Sequence, residues 1–510
     1  MRLGRLRLFR SNVRPFIPLY QQDLTNMIDS PLLPRIAGYI NGQWTDPNTP
    51  SVIPVTNPAT GDQLACVPSM GAVETEAAIG AAHVLLKSET SLTQRRDWLV
   101  RIHDQLLENR DELGRIITLE QGKPLKEGVA EIQYAAGFFI ECARELPALD
   151  RQRVAELVNG CEYVIHNRPA GVAALITPWN FPLAMLAKKA SAAIAADCPM
   201  VAKPSELTPL TAIAFAGILE RVGLDAGRFN LVMGDVDAIG RTMCSHPDVG
   251  VISFTGSTRV GSHLIAASAP HVKRLAMELG GNAPFIVFED ATIEQAADAL
   301  IANKFRAGGQ TCVCTNRVYV HDDVMDAFAN AIVERVSRLQ VGNGLEAGVD
   351  IGPLINRAAF DKVSNHVQDA MAKGATLLLG EAPTPSDESW GHFYPPTVLR
   401  GLADDALICR EETFGPVIAM AGFTDEDDVI EKANATQYGL AAYVFTASNA
   451  RAERVVRGLQ FGHIGVNTGA GPAPQAPFGG MKMSGIGREG GTEGIFEFVE
   501  LQVVANGPQA

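Results

Sequence analysis

Short apolar runs alternate with longer segments of helical spacing between residues 171 and 270. The apolar runs have the length of strands, at Gly171–Ile176, Met200–Ala202, Phe229–Met233 and Val249–Phe254. The segments between them predict amphipathic helices over residues 183–196, 211–222, 236–245 and 260–268. Strands that alternate with helices in this way are typical of βαβ units and therefore of a parallel sheet.

A second α/β stretch begins near residue 283. Pro284–Phe288 and Arg317–Val320 are strand-like, and residues 293–306 and 323–340 have helical spacing. Upstream, residues 73–145 are rich in Ala, Glu and Leu at helical spacing, which predicts several surface helices. The pattern as a whole predicts an α/β fold.

Turn signals and weaker patterns mark the rest of the chain. Tyr39–Trp44 predicts a hairpin with an Asn-Gly turn, and Asn57–Gly61 predicts a second turn. Residues 380–396 are rich in Pro, Ser and Asp, which indicates a surface loop. A Gly-rich stretch, residues 469–491, precedes a last strand-like run at Phe496–Val504.

Composition excludes several classes of protein. A chain of 510 residues predicts two or three domains, and 46% hydrophobic residues exclude disorder as the dominant state. A net charge of −14 argues against a nucleic-acid partner, because a phosphate backbone attracts basic surfaces. No uninterrupted apolar stretch reaches the roughly 20 residues of a membrane span, so no membrane partner is expected.

The eight cysteines form no CxxC pair, so neither a disulfide framework nor a metal site is predicted. A reducing compartment, the cytoplasm, is the expected location. However, residues 1–22 are Arg-rich without an acid before Asp23, as in an organellar transit peptide, which leaves the mitochondrial matrix as the alternative. Scarce serines favour a disordered leader at residues 1–30, or translation from Met27.

Three polar side chains stand at turns where they could carry chemistry. Cys312 follows two glycines, and a thiol at a sharp turn is accessible to a substrate, although most cysteines are structural. Glu278 precedes two more glycines after a strand-like run and is a candidate general base on water. Asn180 offers an amide donor for an oxyanion between two prolines, where asparagine also simply forms turns.

The start of a predicted helix carries a candidate phosphate site. Phe254–Thr258 leads from a strand into that helix, and the free N–H groups of a helix start suit a phosphate. The spacing from Gly256 to Gly261 is not the GxGxxG fingerprint, so this signal is weak by itself. Ligands of open parallel sheets bind at the edge formed by such turns.

Taken together and in this order, these segments resemble the aldehyde dehydrogenase superfamily from about Ile40 to Val504. The motifs that carry the resemblance are Asn57–Gly61, Thr177–Pro182, Lys203–Glu206, Phe254–Thr258, Glu278–Gly281, Gln310–Cys312, Glu411–Pro416 and Pro477–Gly480. The resemblance implies a Rossmann-type cofactor domain, an α/β catalytic domain and a small β oligomerisation extension.

The resemblance also implies domain bounds and a homo-oligomer. The cofactor domain is expected to comprise residues 31–150 and 169–278, and the catalytic domain residues 279–468. Residues 151–168 and 469–510 would form the extension and the C-terminal segment. The extension would leave sheet edges that subunit pairing covers, which predicts a homodimer or a homotetramer.

The family mechanism assigns roles to the three polar side chains. The Cys312 thiolate would attack an aldehyde, and the Asn180 amide with the Cys312 N–H would hold the oxyanion. Hydride transfer to a nicotinamide would leave a thioester, and Glu278 would activate the water that releases the acid. Glu278 disfavours a CoA-acylating enzyme. A non-redox thiol esterase would leave the cofactor motifs without a use. An inert protein of the same fold would have no use for intact Asn180, Glu278 and Cys312.

The same resemblance assigns the cofactor residues. They are Lys203 and Glu206 at the adenosine ribose, Gly256 and Ser257 at the pyrophosphate, Trp179 and the Leu279 backbone at the nicotinamide, and Glu412 at its ribose with Phe414 packing beside it. Ser205, between Lys203 and Glu206, is also expected to bind the cofactor. The Glu206 carboxylate would repel a 2′-phosphate, so NAD is predicted over NADP.

Three segments resemble succinate-semialdehyde dehydrogenases most closely: Lys304–Cys314, Gly281–Phe288 and Ser484–Gly490. Arg306 matches an arginine that holds the substrate carboxylate there, with a surface salt bridge as the alternative use. Lys188, where the subfamily often has arginine, would complete a cationic pocket.

Two departures from the subfamily leave the substrate open. Lys188 lacks the planar fork of arginine, and residues 469–474 lack the serine that the subfamily often has. Succinate semialdehyde is therefore the first candidate, and 3-sulfolactaldehyde, glutarate semialdehyde and 2-oxoglutarate semialdehyde are the alternatives. Cys314 matches a redox partner in some such enzymes, so reversible inactivation through a Cys312–Cys314 disulfide is a hypothesis, beside a plain buried role.

Overall fold

The computed structural model describes residues 28–46, 51–150, 152–158, 160–381 and 392–507. Residues 1–27 of the predicted leader, and with them the transit-peptide question, lie outside the described residues. The same holds for residues 382–391 of the predicted loop. Among the described residues, no helix is both long enough and apolar enough to cross a membrane.

The strands and helices of the described residues alternate along most of the chain. The strands are β1 (Gly38–Ile40), β2 (Gln43–Thr45), β3 (Val52–Thr56), β4 (Gln63–Pro68), β5 (Gln152–Val158), β6 (Cys161–Pro169), β7 (Val172–Ile176), β8 (Met200–Lys203), β9 (Phe229–Leu231), β10 (Val249–Thr255), β11 (Arg274–Glu278), β12 (Ala283–Val287), β13 (Thr315–His321), β14 (Thr376–Leu379), β15 (Thr397–Arg400), β16 (Val417–Phe423), β17 (Ala441–Phe445), β18 (His463–Val466), β19 (Gly485–Ile486) and β20 (Val499–Asn506). The α-helices are α1 (Ala72–Leu85), α2 (Leu92–Glu108), α3 (Arg110–Gln121), α4 (Leu125–Glu145), α5 (Ala184–Ala195), α6 (Leu210–Arg221), α7 (Val236–Ser245), α8 (Thr258–Ser268), α9 (Ile293–Lys304), α10 (Met325–Val336), α11 (Arg357–Ala372), α12 (Leu407–Arg410), α13 (Glu426–Asn434), α14 (Asn449–Gly458) and α15 (Gly491–Phe496).

The first sheet has the order β19-β11-β10-β7-β8-β9-β1-β2. Its central strands β11, β10, β7, β8 and β9 are parallel, and antiparallel strands flank them on both sides. Helices α5, α6 and α7 connect the parallel strands, within a few residues of the predicted segments. The predicted α/β fold is confirmed.

A second sheet, of order β14-β15-β16-β13-β12-β17-β18, is parallel except for β14. A small antiparallel sheet of order β20-β6-β5 joins the C-terminal strand to the segment before β7. These two sheets correspond to the expected catalytic α/β part and the expected β extension.

The hairpin of β1 and β2 shows why a local turn signal is informative. Asn41 and Gly42 both have positive φ, 52° and 74°, as a two-residue hairpin turn of this hand requires. Asparagine and glycine adopt that conformation at low cost, so the two residues fix the register in which Tyr39 pairs with Trp44.

The expectation of an amphipathic helix is wrong for α5. All twelve residues of α5 are buried, Lys188 and Lys189 included, because the helix is enclosed by its neighbours on every side. The helices of residues 73–145 are surface helices, as expected: they bury one face, with Trp98 and Phe139 in the core that backs the first sheet, and expose other residues to solvent. Apolar spacing identified these helices but did not indicate how many faces are covered.

The C-terminal segment also differs from the prediction. The last strand begins at Val499 rather than Phe496, because residues 491–496 form α15. Gly485–Ile486, within the expected C-terminal segment, pairs with β11 in the first sheet. The other domain bounds remain a prediction.

Candidate active site

A cavity of about 380 Å³ lies beyond the carboxyl ends of β7, β10 and β11. Predicted site residues that line it are Trp179, Asn180, Lys188, Gly256, Ser257, Glu278, Leu279, Arg306, Cys312, Glu412 and Phe414. Lys203, Ser205 and Glu206 do not line it. Lys203 ends β8, beside Ile176 of β7, so these three lie along the same sheet edge.

The sheet register explains why distant segments meet here. Thr255 is opposite Glu278 in the parallel pair of β10 and β11, so Gly256 and Ser257 follow β10 close to the end of β11. A Cβ on Gly256 would lie 2.4 Å from the Phe254 ring, so only glycine fits there without rearrangement. Parallel strands bring their carboxyl ends to one edge, and the turns after them form the site.

Cys312 lies in a constrained turn between the short 3₁₀-helix Arg306–Gly309 and β13. Ala307, Gly308 and Gly309 have positive φ of 49°, 66° and 76°. For alanine this conformation costs about 1 kcal/mol, which the surrounding contacts must offset. The Gln310 side chain contributes, because its Nε2 donates to the Ala307 carbonyl at 2.9 Å.

Asn180 is buried and held from both ends. Its Nδ2 donates to the Gln310 carbonyl at 2.9 Å, and its own carbonyl accepts a hydrogen bond from Lys123 Nζ at 2.7 Å. Lys123 in turn pairs with Glu131 at 2.6 Å, and both side chains are fully buried. The second oxygen of Glu131 accepts the N–H groups of Leu183 and Ala184, just before and at the start of α5.

Glu278 is surrounded by protein, and its protonation is shifted accordingly. Burial, reinforced by the negative Glu489, raises the pKa of Glu278 to about 8, although Lys188 and Lys189 oppose the shift. At neutral pH this side chain is therefore mostly a neutral carboxylic acid. Above pH 8 it is a carboxylate of unusual basicity, as a general base requires.

The Cys312 thiol is also neutral at rest. Burial and then the neighbouring Glu278 raise the pKa of Cys312 to about 12, with Lys188 acting in the opposite direction. The Lys188 cation thus favours the thiolate form of Cys312, while burial of the sulfur opposes it.

Lys188, Lys189 and Glu489 form a buried cluster beside the cavity. Lys189 Nζ donates to Glu489 Oε1 and, at 2.8 Å, to Thr255 Oγ1. Lys188 Nζ lies 3.5 Å from Glu489 Oε2. Burial alone would raise the pKa of Glu489, but the two lysines outweigh burial and hold it below its ordinary value. Lys188, predicted as a substrate ligand, is therefore already engaged by a carboxylate.

Arg306 differs from Lys188 in this respect. Its guanidinium carbon lies 4.7 Å from the centre of the Phe181 ring, and it lines the cavity. Across the described part of the chain it forms no ion pair within 4.0 Å. The alternative use as a surface salt bridge is thus not observed there.

The same cavity also carries predicted cofactor residues. Ser257 caps α8, its Oγ accepting Val260 N–H at 3.3 Å, and Trp179 packs edge-on against Phe414 at 5.6 Å between ring centroids. Glu412 Oε1 accepts Gly281 N–H at 3.1 Å, and burial raises the pKa of Glu412 to about 7. Outside the cavity, Lys203 Nζ lies 3.3 Å from Glu206 Oε2.

A sequence model described as the aldehyde dehydrogenase family matches residues 44–504. The chain belongs to this family. It is 45% identical over 479 residues to the succinate-semialdehyde dehydrogenase [NADP(+)] GabD of Escherichia coli K12, covering 93% of this chain and 98% of GabD. It is 43% identical over 475 residues to a glutarate-semialdehyde dehydrogenase of Pseudomonas aeruginosa PAO1, covering 93% and 98%.

Solved structures agree with this membership. An oxidoreductase of Marinobacter aquaeolei superposes with a TM-score of 0.93 at 54% identity, covering 94% of this chain and all of that one. The resemblance stated from the motifs is confirmed, and the protein is an aldehyde-oxidising oxidoreductase.

Sequence reasoning missed several residues of this aldehyde dehydrogenase. Lys123, in the connection between α3 and α4, and Glu131 of α4 anchor Asn180, and no local pattern connects them with residue 180. Lys189 and Glu489 are 300 positions apart. The sequence did carry a signal for Lys189, because two adjacent lysines in an otherwise apolar helix require a buried anion as partner.

Cys314 is buried and has two polar neighbours. Its Sγ donates to the Gly309 carbonyl at 3.2 Å, and Lys304 Nζ lies 3.7 Å from the same sulfur. All eight cysteines are free thiols in the structure. The redox hypothesis for Cys312 and Cys314 remains a prediction.

Proposed function

We propose that this aldehyde dehydrogenase oxidises a small anionic aldehyde to its acid with NAD. Succinate semialdehyde is the first candidate for that aldehyde. The observation that carries the proposal is Arg306, a guanidinium without an ion pair in the described chain, in the cavity that holds Cys312 and Glu278. A guanidinium binds a carboxylate through paired N–H donors. The similarity to enzymes named for succinate and glutarate semialdehydes supports the same substrate class.

The predicted cofactor residues in the cavity fit a dinucleotide. Ser257 begins α8, whose first N–H groups suit a pyrophosphate, and Glu412 has one oxygen left beyond its bond to Gly281 for a ribose hydroxyl. Trp179 and Phe414 offer flat apolar surface beside it. A bound nicotinamide supplies the acceptor for the hydride that the aldehyde carbon loses.

The chain's own residues perform the remaining chemistry. Cys312 releases its proton to water and attacks the aldehyde carbon as a thiolate, and the Asn180 amide with the Cys312 N–H stabilises the oxyanion. Loss of hydride from that carbon leaves a thioester on Cys312. Glu278, as carboxylate, takes a proton from water, the resulting hydroxide attacks the thioester, and the acid leaves as the thiolate is restored.

The preference for NAD over NADP is proposed from Glu206. Its carboxylate is 42% exposed and lies beside Lys203 at the sheet edge where the adenosine ribose is expected. A carboxylate there accepts ribose hydroxyls and repels a 2′-phosphate. GabD, although similar, is named for NADP(+), so the two cofactors must be compared directly on this chain.

The test is a substrate panel assayed by NADH formation. Succinate semialdehyde, glutarate semialdehyde, 2-oxoglutarate semialdehyde and 3-sulfolactaldehyde are compared with neutral butanal by kcat/KM, with and without CoA. We expect kcat/KM for the anionic aldehydes to exceed kcat/KM for butanal. The Arg306→Met variant should lower this ratio by roughly tenfold or more. Preference for butanal in the unaltered enzyme, or an unchanged preference in Arg306→Met, refutes the proposal. A requirement for CoA would favour the acylating alternative.

The exposed edge of the small sheet supports a proposal about assembly. The outermost strand of the small sheet, β20, exposes Leu501 and Val503 to 62% and 60%, and apolar edge strands are usually covered by a partner. We propose a homodimer or homotetramer, which light scattering distinguishes from a monomer. A cytoplasmic location stays a prediction that cell fractionation checks.

A further inference from the structure

Glu127 lies in the first turn of α4 and contacts the turn that carries Arg306. Its Oε2 accepts the backbone N–H of Ala307 at 2.7 Å. The side chain is half-buried. Burial raises the pKa of Glu127, although the bond from Ala307 and the charges of Lys123 and Arg306 oppose the shift. A half-buried carboxylate with one directed bond to a distant loop is a candidate for holding that loop.

The loop that receives this bond is strained. Ala307 has a φ of 49°, in a region that residues with a Cβ rarely adopt. Such a residue persists only when its surroundings hold it. Its carbonyl is held by Gln310 and its N–H by Glu127, so both polar groups of the strained peptide have fixed partners. The residue immediately before it is Arg306.

Glu127 and Arg306 do not neutralise each other. A carboxylate near a guanidinium commonly forms an ion pair, but no such pair within 4.0 Å joins these two described residues. The Glu127 oxygen is instead used by the Ala307 backbone, and the Arg306 guanidinium lies over Phe181 in the cavity. The arrangement leaves the arginine available to an incoming anion.

We infer that Glu127 is a positioning residue for substrate selectivity, which holds the Ala307 turn so that the Arg306 guanidinium faces the anionic group of the aldehyde. The inference rests on the proposed function of Arg306. It predicts that the acceptor oxygen of residue 127, and not its charge, sets the preference for anionic over neutral aldehydes.

Two conservative variants separate the effect of side-chain length at residue 127 from the effect of its charge. Glu127→Asp keeps the charge but shortens the side chain by one methylene, which withdraws the acceptor from Ala307. Glu127→Gln removes the charge but keeps an acceptor at the same reach. The matched control is Glu141→Asp, because Glu141 lies on the same helix and its bond to Arg144 does not touch the loop.

The readout is the ratio of kcat/KM for succinate semialdehyde to kcat/KM for butanal, a neutral aldehyde with the same number of carbons. We expect Glu127→Asp to lower this ratio about tenfold through KM for the acid, because a hydrogen bond to a charged group is lost. The kcat for butanal should stay unchanged. Glu127→Gln should keep the ratio within about threefold, and Glu141→Asp should not move it.

Two outcomes overturn the inference. If Glu127→Gln lowers the ratio and Glu127→Asp does not, the charge acts rather than the bond. If both leave the ratio unchanged, or both lower kcat for the two aldehydes equally, residue 127 has no role in selectivity. Arg306→Met distinguishes these failures from failure of the proposed function, because an unchanged ratio in that variant refutes the role of Arg306 itself.

Discussion

The buried position of Glu278 makes turnover depend on pH in a way that can be assigned to one residue. Burial and the nearby Glu489 raise its pKa to about 8, so the acid form predominates at neutral pH. If Glu278 activates the water that releases the product, only its carboxylate form supports this step. Turnover should therefore rise as pH increases through 8.

The magnitude follows from the pKa. With a pKa of about 8, roughly one tenth of the enzyme carries the Glu278 carboxylate at pH 7 and roughly nine tenths at pH 9. The thioester hydrolysis rate should thus increase about tenfold between these values. Replacement of Glu278 by Gln removes the base, and the loss of general-base catalysis is typically about 10²–10⁴-fold.

Stopped-flow NADH formation separates the two half-reactions. The burst reports hydride transfer, and the steady state reports thioester hydrolysis when hydrolysis limits turnover. We expect the unaltered enzyme to show a burst followed by a steady-state rate with an apparent pKa near 8. Glu278→Gln should keep the burst and show a slow steady state without that pKa.

Two results would refute this reasoning. Full steady-state turnover in Glu278→Gln would exclude the residue as the base. Persistence of the same apparent pKa in that variant would assign the titration to another group.

Three further predictions follow from individual contacts. Lys123→Met leaves the buried Glu131 carboxylate unpaired, so the free energy of unfolding in urea should fall by about 3 kcal/mol; an unchanged value contradicts the pairing. Glu206→Ser removes the charge that opposes a 2′-phosphate, so the ratio of kcat/KM for NADP to that for NAD should rise about tenfold; no rise removes the argument from Glu206. Peroxide should inactivate the enzyme reversibly, and Cys314→Ala should make the loss irreversible; equal recovery on reduction contradicts a Cys312–Cys314 disulfide.

The sequence predicted the elements around the site well, because their determinants are local. Strands β7 and β10 and helix α7 lie within a residue or two of their predicted bounds, since short apolar runs end at turns rich in Pro, Asn, Gly or Ser. The turns that follow these strands carry Asn180 and Ser257. Parallel strands then place both at one edge, so their proximity also follows from the pattern.

The charged interior was not predictable from local pattern. Helix α5 was expected to have a polar face, but Lys188 and Lys189 are buried because Glu489 reaches them from the far end of the chain. Lys123 contacts Asn180, which is 57 positions away. Glu127 contacts Ala307, which is 180 positions away. Partners at such distances depend on tertiary packing rather than on local spacing. Under the proposed function, substrate selectivity would depend on these contacts, and local sequence pattern does not indicate them.

The most direct test of the account is a search for acylated Cys312 during turnover. The enzyme is mixed with succinate semialdehyde and NAD at pH 7, quenched in acid within the burst, digested and analysed by mass spectrometry. The account predicts that the Cys312 peptide gains the mass of the succinyl group, and that Cys312→Ser shows neither this adduct nor turnover. An unmodified Cys312 in an enzyme that turns over, together with full activity of Cys312→Ser, would contradict the account.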